Sequence, residues 1–128
     1  MEKRIQVLIV DDQGSARRGL KALLSLFPQV EVVGEAADGQ ESVQQVEHCR
    51  PNVVLMDMQM PGTNGLEATR RIKCRWPKVK IIALTLHPGY QAEAFAAGAD
   101  AFLLKGCDPE LLRDAILASA VSRSAKCA

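Results

Sequence analysis

The chain has 128 residues, 48% of them hydrophobic and 24% charged, with a formal net charge of +1. That length suits one domain burying about two-thirds of the surface its unfolded form exposes, and the near-neutral balance excludes a global electrostatic pull toward nucleic acid or an anionic membrane. Cys49, Cys74, Cys107 and Cys127 form no Cys-x-x-Cys pair and have no histidine at ligand spacing, which argues against a zinc site or a redox motif and reads as reduced thiols. No apolar run approaches a membrane span, and the start MEKRIQVLIV lacks the long apolar stretch of a secretion signal, so a cytoplasmic location with no membrane partner is expected.

In chain order, Ile5–Val10 is a short apolar run and reads as the first strand. Leu20, Leu23, Leu24 and Phe27 fall at i, i+3, i+4, i+7 and predict a helix over 15–27, stopped by Pro28. Val30–Ala36 interleaves polar residues, as an edge strand can. Val43 and Val46 mark a second helix ending before Pro51; Val53–Met56 is the third strand; Leu66, Ile72 and Trp76 mark a third helix ending before Pro77. Val79–Leu84 reads as the fourth strand, Phe95 and its neighbouring alanines as a fourth helix closing near Gly98, and Ala101–Leu104 as the fifth strand. A fifth helix opens at CDPELLRDAI, where Asp108 can accept from free backbone N–H groups and Pro109 suits the first helical position. Strand and helix alternating in this way predict a parallel sheet. The small, polar close VSRSAKCA reads as a tail or the start of a truncated linker over 122–128, which leaves 1–121 as the domain.

In a parallel sheet all strands point one way, so the residues after their carboxyl ends share a single rim, where open α/β sheets place their ligands. Asp11 and Asp12 follow the first strand in VLIVDDQ, Asp57 the third, Thr85 the fourth and Lys105 the fifth. Crowded carboxylates repel one another and destabilise the fold unless a counter-charge is supplied. Mg²⁺, or Mn²⁺ in its place, prefers oxygen ligands and commonly bridges carboxylates to a phosphate. A phosphoryl group on Asp57 would complete such a shell, with Lys105 neutralising one oxygen and the Thr85 hydroxyl donating to another. Asp57 would then be a nucleophile that forms an acyl phosphate. Taken singly, Asp11 and Asp12 read as strand-end charges or a helix cap; with Asp57, Thr85 and Lys105 in place the metal reading prevails.

The motifs VLIVDDQ, VVLMDMQMPGTNG, IIALT and GADAFLLKG, in this order over roughly residues 5–120, resemble the receiver domain of two-component response regulators. GADAFLLK and PQVEVVGEAADGQES are most similar to the subclass that carries a LuxR-type helix-turn-helix output domain. The resemblance implies a flavodoxin-like (βα)5 three-layer α/β sandwich with a parallel sheet in the order 2-1-3-4-5. It makes Asp57 the phosphoacceptor, Asp12 a direct metal ligand, Asp11 a ligand through water or a tuning carboxylate, and Gln59 a ligand through its backbone carbonyl. Thr85 and Phe102 match the family's switch pair, and Lys105 its phosphoryl-contacting lysine. The implied partners are a cognate histidine kinase or phosphotransfer protein and a second copy as a homodimer on phosphorylation, with DNA reached only through an output domain absent from this chain. Such a domain accepts a phosphoryl group and slowly loses it, and is not a turnover enzyme.

Three features depart from the family pattern. Phe102 stands where a tyrosine is frequent, the segment from Thr85 to Lys105 is about one residue shorter than expected of the LuxR-type subclass, and Gly106 replaces a frequent proline, so no cis peptide is expected there. The basic cluster Arg70, Arg71, Lys73, Arg75, Lys78 and Lys80 reads as a solvated helix face, and His48 and His87 as surface residues. A haloacid-dehalogenase-type phosphatase would need an Asp-x-Asp that neither DDQ nor DMQ supplies. An FMN binder would need a Ser/Thr/Gly-rich loop where DDQGSARRG stands, and a phosphorylation-independent interaction domain leaves the acidic pocket unexplained.

Overall fold

The computed structural model describes residues 4–59 and 64–127, with side chains described as far as Ser119; residues 60–63, inside the VVLMDMQMPGTNG motif, lie outside the described residues. The chain runs β1 (Ile5–Val10), α1 (Gly14–Leu24), β2 (Val30–Ala36), α2 (Gly39–Cys49), β3 (Val53–Asp57), α3 (Gly65–Arg75), β4 (Lys80–Thr85), a 3₁₀ turn at Pro88–Tyr90, α4 (Gln91–Ala97), β5 (Ala101–Leu104) and α5 (Pro109–Cys127). Every strand pair is parallel and the sheet order is β2-β1-β3-β4-β5, as expected.

The three inner strands are apolar nearly throughout because helices cover both of their faces, and side chains alternate between those faces. Leu8, Val10, Val54, Met56, Ile81 and Ala83 point to one side, where Val46 of α2, Ala68 and Ile72 of α3 and Ala94 of α4 cover them. Val7, Ile9, Val53, Leu55 and Ile82 point to the other, against Leu24 of α1 and Leu112 and Ile116 of α5. This is the expected three-layer sandwich. β2 is an edge, with a register shift between Val7 and Leu8 that leaves Val33 without a partner.

Several boundaries differ from the sequence expectations for local reasons. α1 ends at Leu24 because the chain tightens, with Leu26 and Phe27 N–H groups bonding Leu23 and Leu24 carbonyls, so Phe27 packs from the turn. β3 and β4 each run one residue further than expected, making Asp57 and Thr85 the last residues of their strands. α5 continues as helix to Cys127, through most of the segment read as tail. Gly106 has φ 84, a left-handed conformation closed to proline, whose ring fixes φ near about −65°.

The basic cluster is only partly a solvated face. Arg70 and Arg71 pair with Glu67 at the surface, but Lys73 turns inward to the carbonyls of Pro77 and Val79 and to Asp100, and Lys80 is buried 3.9 Å from the same carboxylate. Arg75 stacks on Trp76, 4.4 Å from the ring centroid.

Candidate functional site: an acidic pocket at the carboxyl ends of the strands

β1 and β3 are neighbours with Val10 opposite Met56, so the residues that follow them emerge side by side. Carboxylate oxygens of Asp11, Asp12 and Asp57 lie within 4.8 Å of one another. Asp11 is 1% and Asp57 4% exposed, whereas Asp12 is half-buried. The cation opposing them comes from the far edge of the sheet. β5 pairs with β4 so that Leu104 faces Thr85, and the Lys105 N–H donates to the Thr85 carbonyl at 2.7 Å. This brings the Lys105 ammonium 2.7 Å from Asp11 Oδ2 and 3.3 Å from Asp57 Oδ2.

The remaining lone pairs are partly met by backbone. Gln59 N–H donates to Asp57 Oδ1 at 3.1 Å and Gln13 N–H to Asp11 Oδ1 at 2.9 Å. Burial pushes the Asp57 carboxyl above its ordinary value, with the Asp11 charge adding to the rise and the Gln59 N–H and Lys105 only partly offsetting it. Burial opposes the Lys105 charge too, but hydrogen bonds and attraction from Asp11 and Asp57 together outweigh it and raise the lysine pKa. Among the described residues, one ammonium, paired with Asp11 and Asp57, faces a cluster of three carboxylates, which leaves the pocket short of positive charge. Its all-oxygen donor set, with Asp12 only half-buried, fits a hard divalent cation that keeps several waters.

A raised aspartate pKa has a definite sign in stability. Where folded and unfolded states are both protonated, below the ordinary value of 3.8, the group costs nothing; as pH rises through the elevated folded value, folding carries the burden of an ionised buried carboxylate. Asp57→Asn should therefore melt at a higher temperature than wild type in EDTA at neutral pH, with the gap closing as pH falls below 3.8. Thermal melts across that range check it, and a variant melting lower at neutral pH contradicts it.

Thr85 is fully buried at the end of β4, its Oγ1 accepting the His87 N–H at 3.3 Å. His87 is exposed, as expected, with its ring edge-on to Tyr90. Phe102 lies opposite Ala83 and is half-buried against the core on the α4 side together with Tyr90, outside the carboxylate cluster. The structure therefore assembles Asp11, Asp12, Asp57 and Lys105, sets Gln59 on Asp57 through its N–H, and places Thr85 next to Lys105 through the β4–β5 pairing.

Two residues of the site are absent from the sequence reading. A Cβ on Gly65 would lie 2.1 Å from the Asp57 carbonyl oxygen and 2.8 Å from Met58 Cα, so the start of α3 packs directly on the backbone that carries Asp57. Arg17 donates from Nη1 to the Asp11 carbonyl at 2.5 Å and from Nε to Glu35 at 3.0 Å. The two arginines in DDQGSARRG were the available signal for the second, and the closing glycine of VVLMDMQMPGTNG for the first.

A doubly covered parallel sheet with this charged rim is the architecture of a signalling receiver. Residues 7–117 match the response regulator receiver domain, and the chain belongs to that family, whose general function is phosphoryl transfer in two-component systems. It is 40% identical over 117 residues to the transcriptional regulatory protein DegU of Brevibacillus brevis, covering 90% of this chain and 50% of that protein. With the response regulator UvrY of Escherichia coli (strain K12) it shares 44% over 117 residues, covering 88% of this chain and 52% of UvrY. The crystal structure of a LuxR-family two-component response regulator from Aurantimonas sp. SI85-9A1 superposes with a TM-score of 0.89 at 34% identity, covering 94% of this chain and 88% of that one. That likeness agrees with the LuxR-type subclass expected from GADAFLLK. The chain spans about half the length of the curated relatives it matches.

Proposed function

We propose that Asp57 is the phosphoacceptor, served by a divalent cation on Asp11, Asp12, Asp57 and the Gln59 carbonyl, and by Lys105 and Thr85. The observation that carries this is the buried Asp57 carboxylate 3.3 Å from the Lys105 ammonium and within 4.8 Å of two further carboxylates. A phosphohistidine on a histidine kinase or phosphotransfer protein is the donor. An Asp57 oxygen attacks phosphorus, the P–N bond breaks, and its electron pair leaves with the imidazole, which takes up a proton. Mg²⁺ or Mn²⁺ held by these oxygens would supply neutralisation of the charge that gathers in the pocket. Lys105 exchanges part of its hold on Asp57 for a phosphoryl oxygen. The Thr85 hydroxyl accepts from His87 N–H and keeps its own proton to donate to another oxygen, so it serves the phosphoryl group without losing its loop contact.

Phe102 is the second half of the switch: movement of Thr85 toward Asp57 opens space for a ring that is already half-buried, so the further burial is less than the about 1.5–3 kcal/mol of a fully exposed phenylalanine. The altered α4–β5 face then governs homodimerisation or an output domain, and DNA is reached only through the latter. The receiver unit is assigned to 1–121, with 122–128 as tail or linker start, helical to Cys127. A cytoplasmic location accords with a kinase partner; no described helix is long and apolar enough to cross a membrane.

A small phosphodonor with Mg²⁺ is expected to add one acid-stable, hydroxylamine-labile phosphoryl group, lost on Asp57→Asn and in EDTA. Intact mass reads this directly. Labelling that survives both the substitution and the chelator overturns the assignment.

A further inference from the structure

The acidic pair has a support that the reaction itself does not use. Arg17, 21% exposed on the first turn of α1, bridges two elements: Nη1 donates to the Asp11 carbonyl at 2.5 Å and Nε to Glu35 Oε1 on β2 at 3.0 Å. Lys21, one turn further along α1, holds the other Glu35 oxygen at 2.8 Å. The Asp11 carbonyl belongs to the peptide group joining Asp11 to Asp12, so the guanidinium fixes the plane from which the Asp12 side chain departs. Asp11 is otherwise anchored by its N–H to Ala36, on the strand that carries Glu35, and by its carboxylate to Gln13 and Lys105; Asp12 has no equivalent hydrogen bond among the described residues.

We infer that Arg17, held in place by Glu35, is a positioning residue that pre-sets the Asp11–Asp12 backbone for divalent-cation binding. This rests on the reading that the acidic pair holds Mg²⁺. Glu35 suits the task because it stays ionised: its hydrogen bond to Lys21 above all, helped by Arg17, holds its carboxyl below the ordinary value despite partial burial.

Charge alone gives the opposite sign. A guanidinium beside a cation site repels the cation, so removing Arg17 by Coulomb effects only would tighten Mg²⁺ binding. Removing a positioning group loosens it, by about 10–100-fold for outer supports of metal ligands. Arg17→Lys separates the two, since it retains the charge but not the planar fork that reaches two acceptors at once.

The experiment is calorimetric Mg²⁺ titration of wild type, Arg17→Lys, Arg17→Ala and Glu35→Gln, each shown folded by a thermal melt, with amide NMR of the metal-free forms. Expected are at least tenfold weaker Mg²⁺ binding for Arg17→Lys and Arg17→Ala, a smaller loss for Glu35→Gln, and a displaced Asp12 amide resonance in all three. Glu35→Gln, near the sheet edge, keeps the test open should the Arg17 variants not fold. Wild type without measurable Mg²⁺ affinity overturns the metal reading and this one with it. If wild type binds while Arg17→Lys and Glu35→Gln bind equally well, or Arg17→Ala binds more tightly, only the positioning role falls.

Discussion

Gly65→Ala is expected to destabilise the fold by about 3 kcal/mol, the upper end of overpacking costs, lowering the melting temperature by roughly 10 °C in a domain of this size. The added Cβ would meet the Asp57 carbonyl oxygen at 2.1 Å and Met58 Cα at 2.8 Å, both backbone atoms that no rotamer change can move aside. Two relaxations are available. Shifting the start of α3 breaks the Asn64 cap, whose side chain accepts from Glu67 N–H at 2.9 Å, and shifting the end of β3 displaces Asp57 itself. Either way phosphorylation should fall with stability. Gly19→Ala is the control, because a Cβ there meets nothing within 4 Å and replaces an exposed helical glycine, so it should stabilise by about 0.5–1 kcal/mol. Melts and phosphodonor labelling of both variants check the contrast; a Gly65→Ala protein as stable and as readily labelled as wild type would show that the close approach does not constrain the site.

The contrast also marks what a sequence can disclose. The inner strands were legible because burial on both faces demands continuous apolar runs, and Asp11, Asp12, Asp57 and Lys105 because charge at the end of such a run needs a reason. Gly65 stands in the motif VVLMDMQMPGTNG, but its role was not legible, since that role is a close backbone approach to Asp57 and Met58 that shows only in the folded chain. Arg17 was hidden because its partner Glu35 is 18 residues away on another element. Lys73 and Lys80 depart from the expected solvated face for the same reason: Asp100, which draws them inward, follows α4, far along the chain. The DD pair after β1 is an intermediate case: the parallel-sheet rule puts it on one rim with Lys105, but does not say which cation it meets first. Its counter-charge in the folded protein is first of all Lys105, 2.7 Å from Asp11, where the sequence points only to a shared rim and a phosphoryl contact.

Lys105→Met should consequently act in opposite directions on two measurable properties. Without the ammonium, the nearly buried Asp11 and Asp57 carboxylates face Asp12 with no ion-pair partner among the described residues, and breaking a buried pair by removing one partner costs about 3–5 kcal/mol. Lys105 retains 22% side-chain exposure, so the low end, about 3 kcal/mol, is expected in the metal-free protein at neutral pH. The lysine pKa is raised by folding, so its contribution is complete below the ordinary 10.5 and lost as pH rises through the elevated value. On the acid side the deficit shrinks as its carboxylate partners become protonated. Mg²⁺ affinity moves the other way: the variant pocket has the same oxygens and no competing cation, so Mg²⁺ should bind more tightly and return more stability than it does to wild type. Phosphorylation should nevertheless be slower, on the order of a hundredfold, because the charge that meets the transferring phosphoryl oxygens is gone. Melts with EDTA and with Mg²⁺, read beside labelling rates, separate the two roles. A variant as stable as wild type without metal, and no more responsive to Mg²⁺, would mean that Lys105 is not the counter-ion of the acidic pocket.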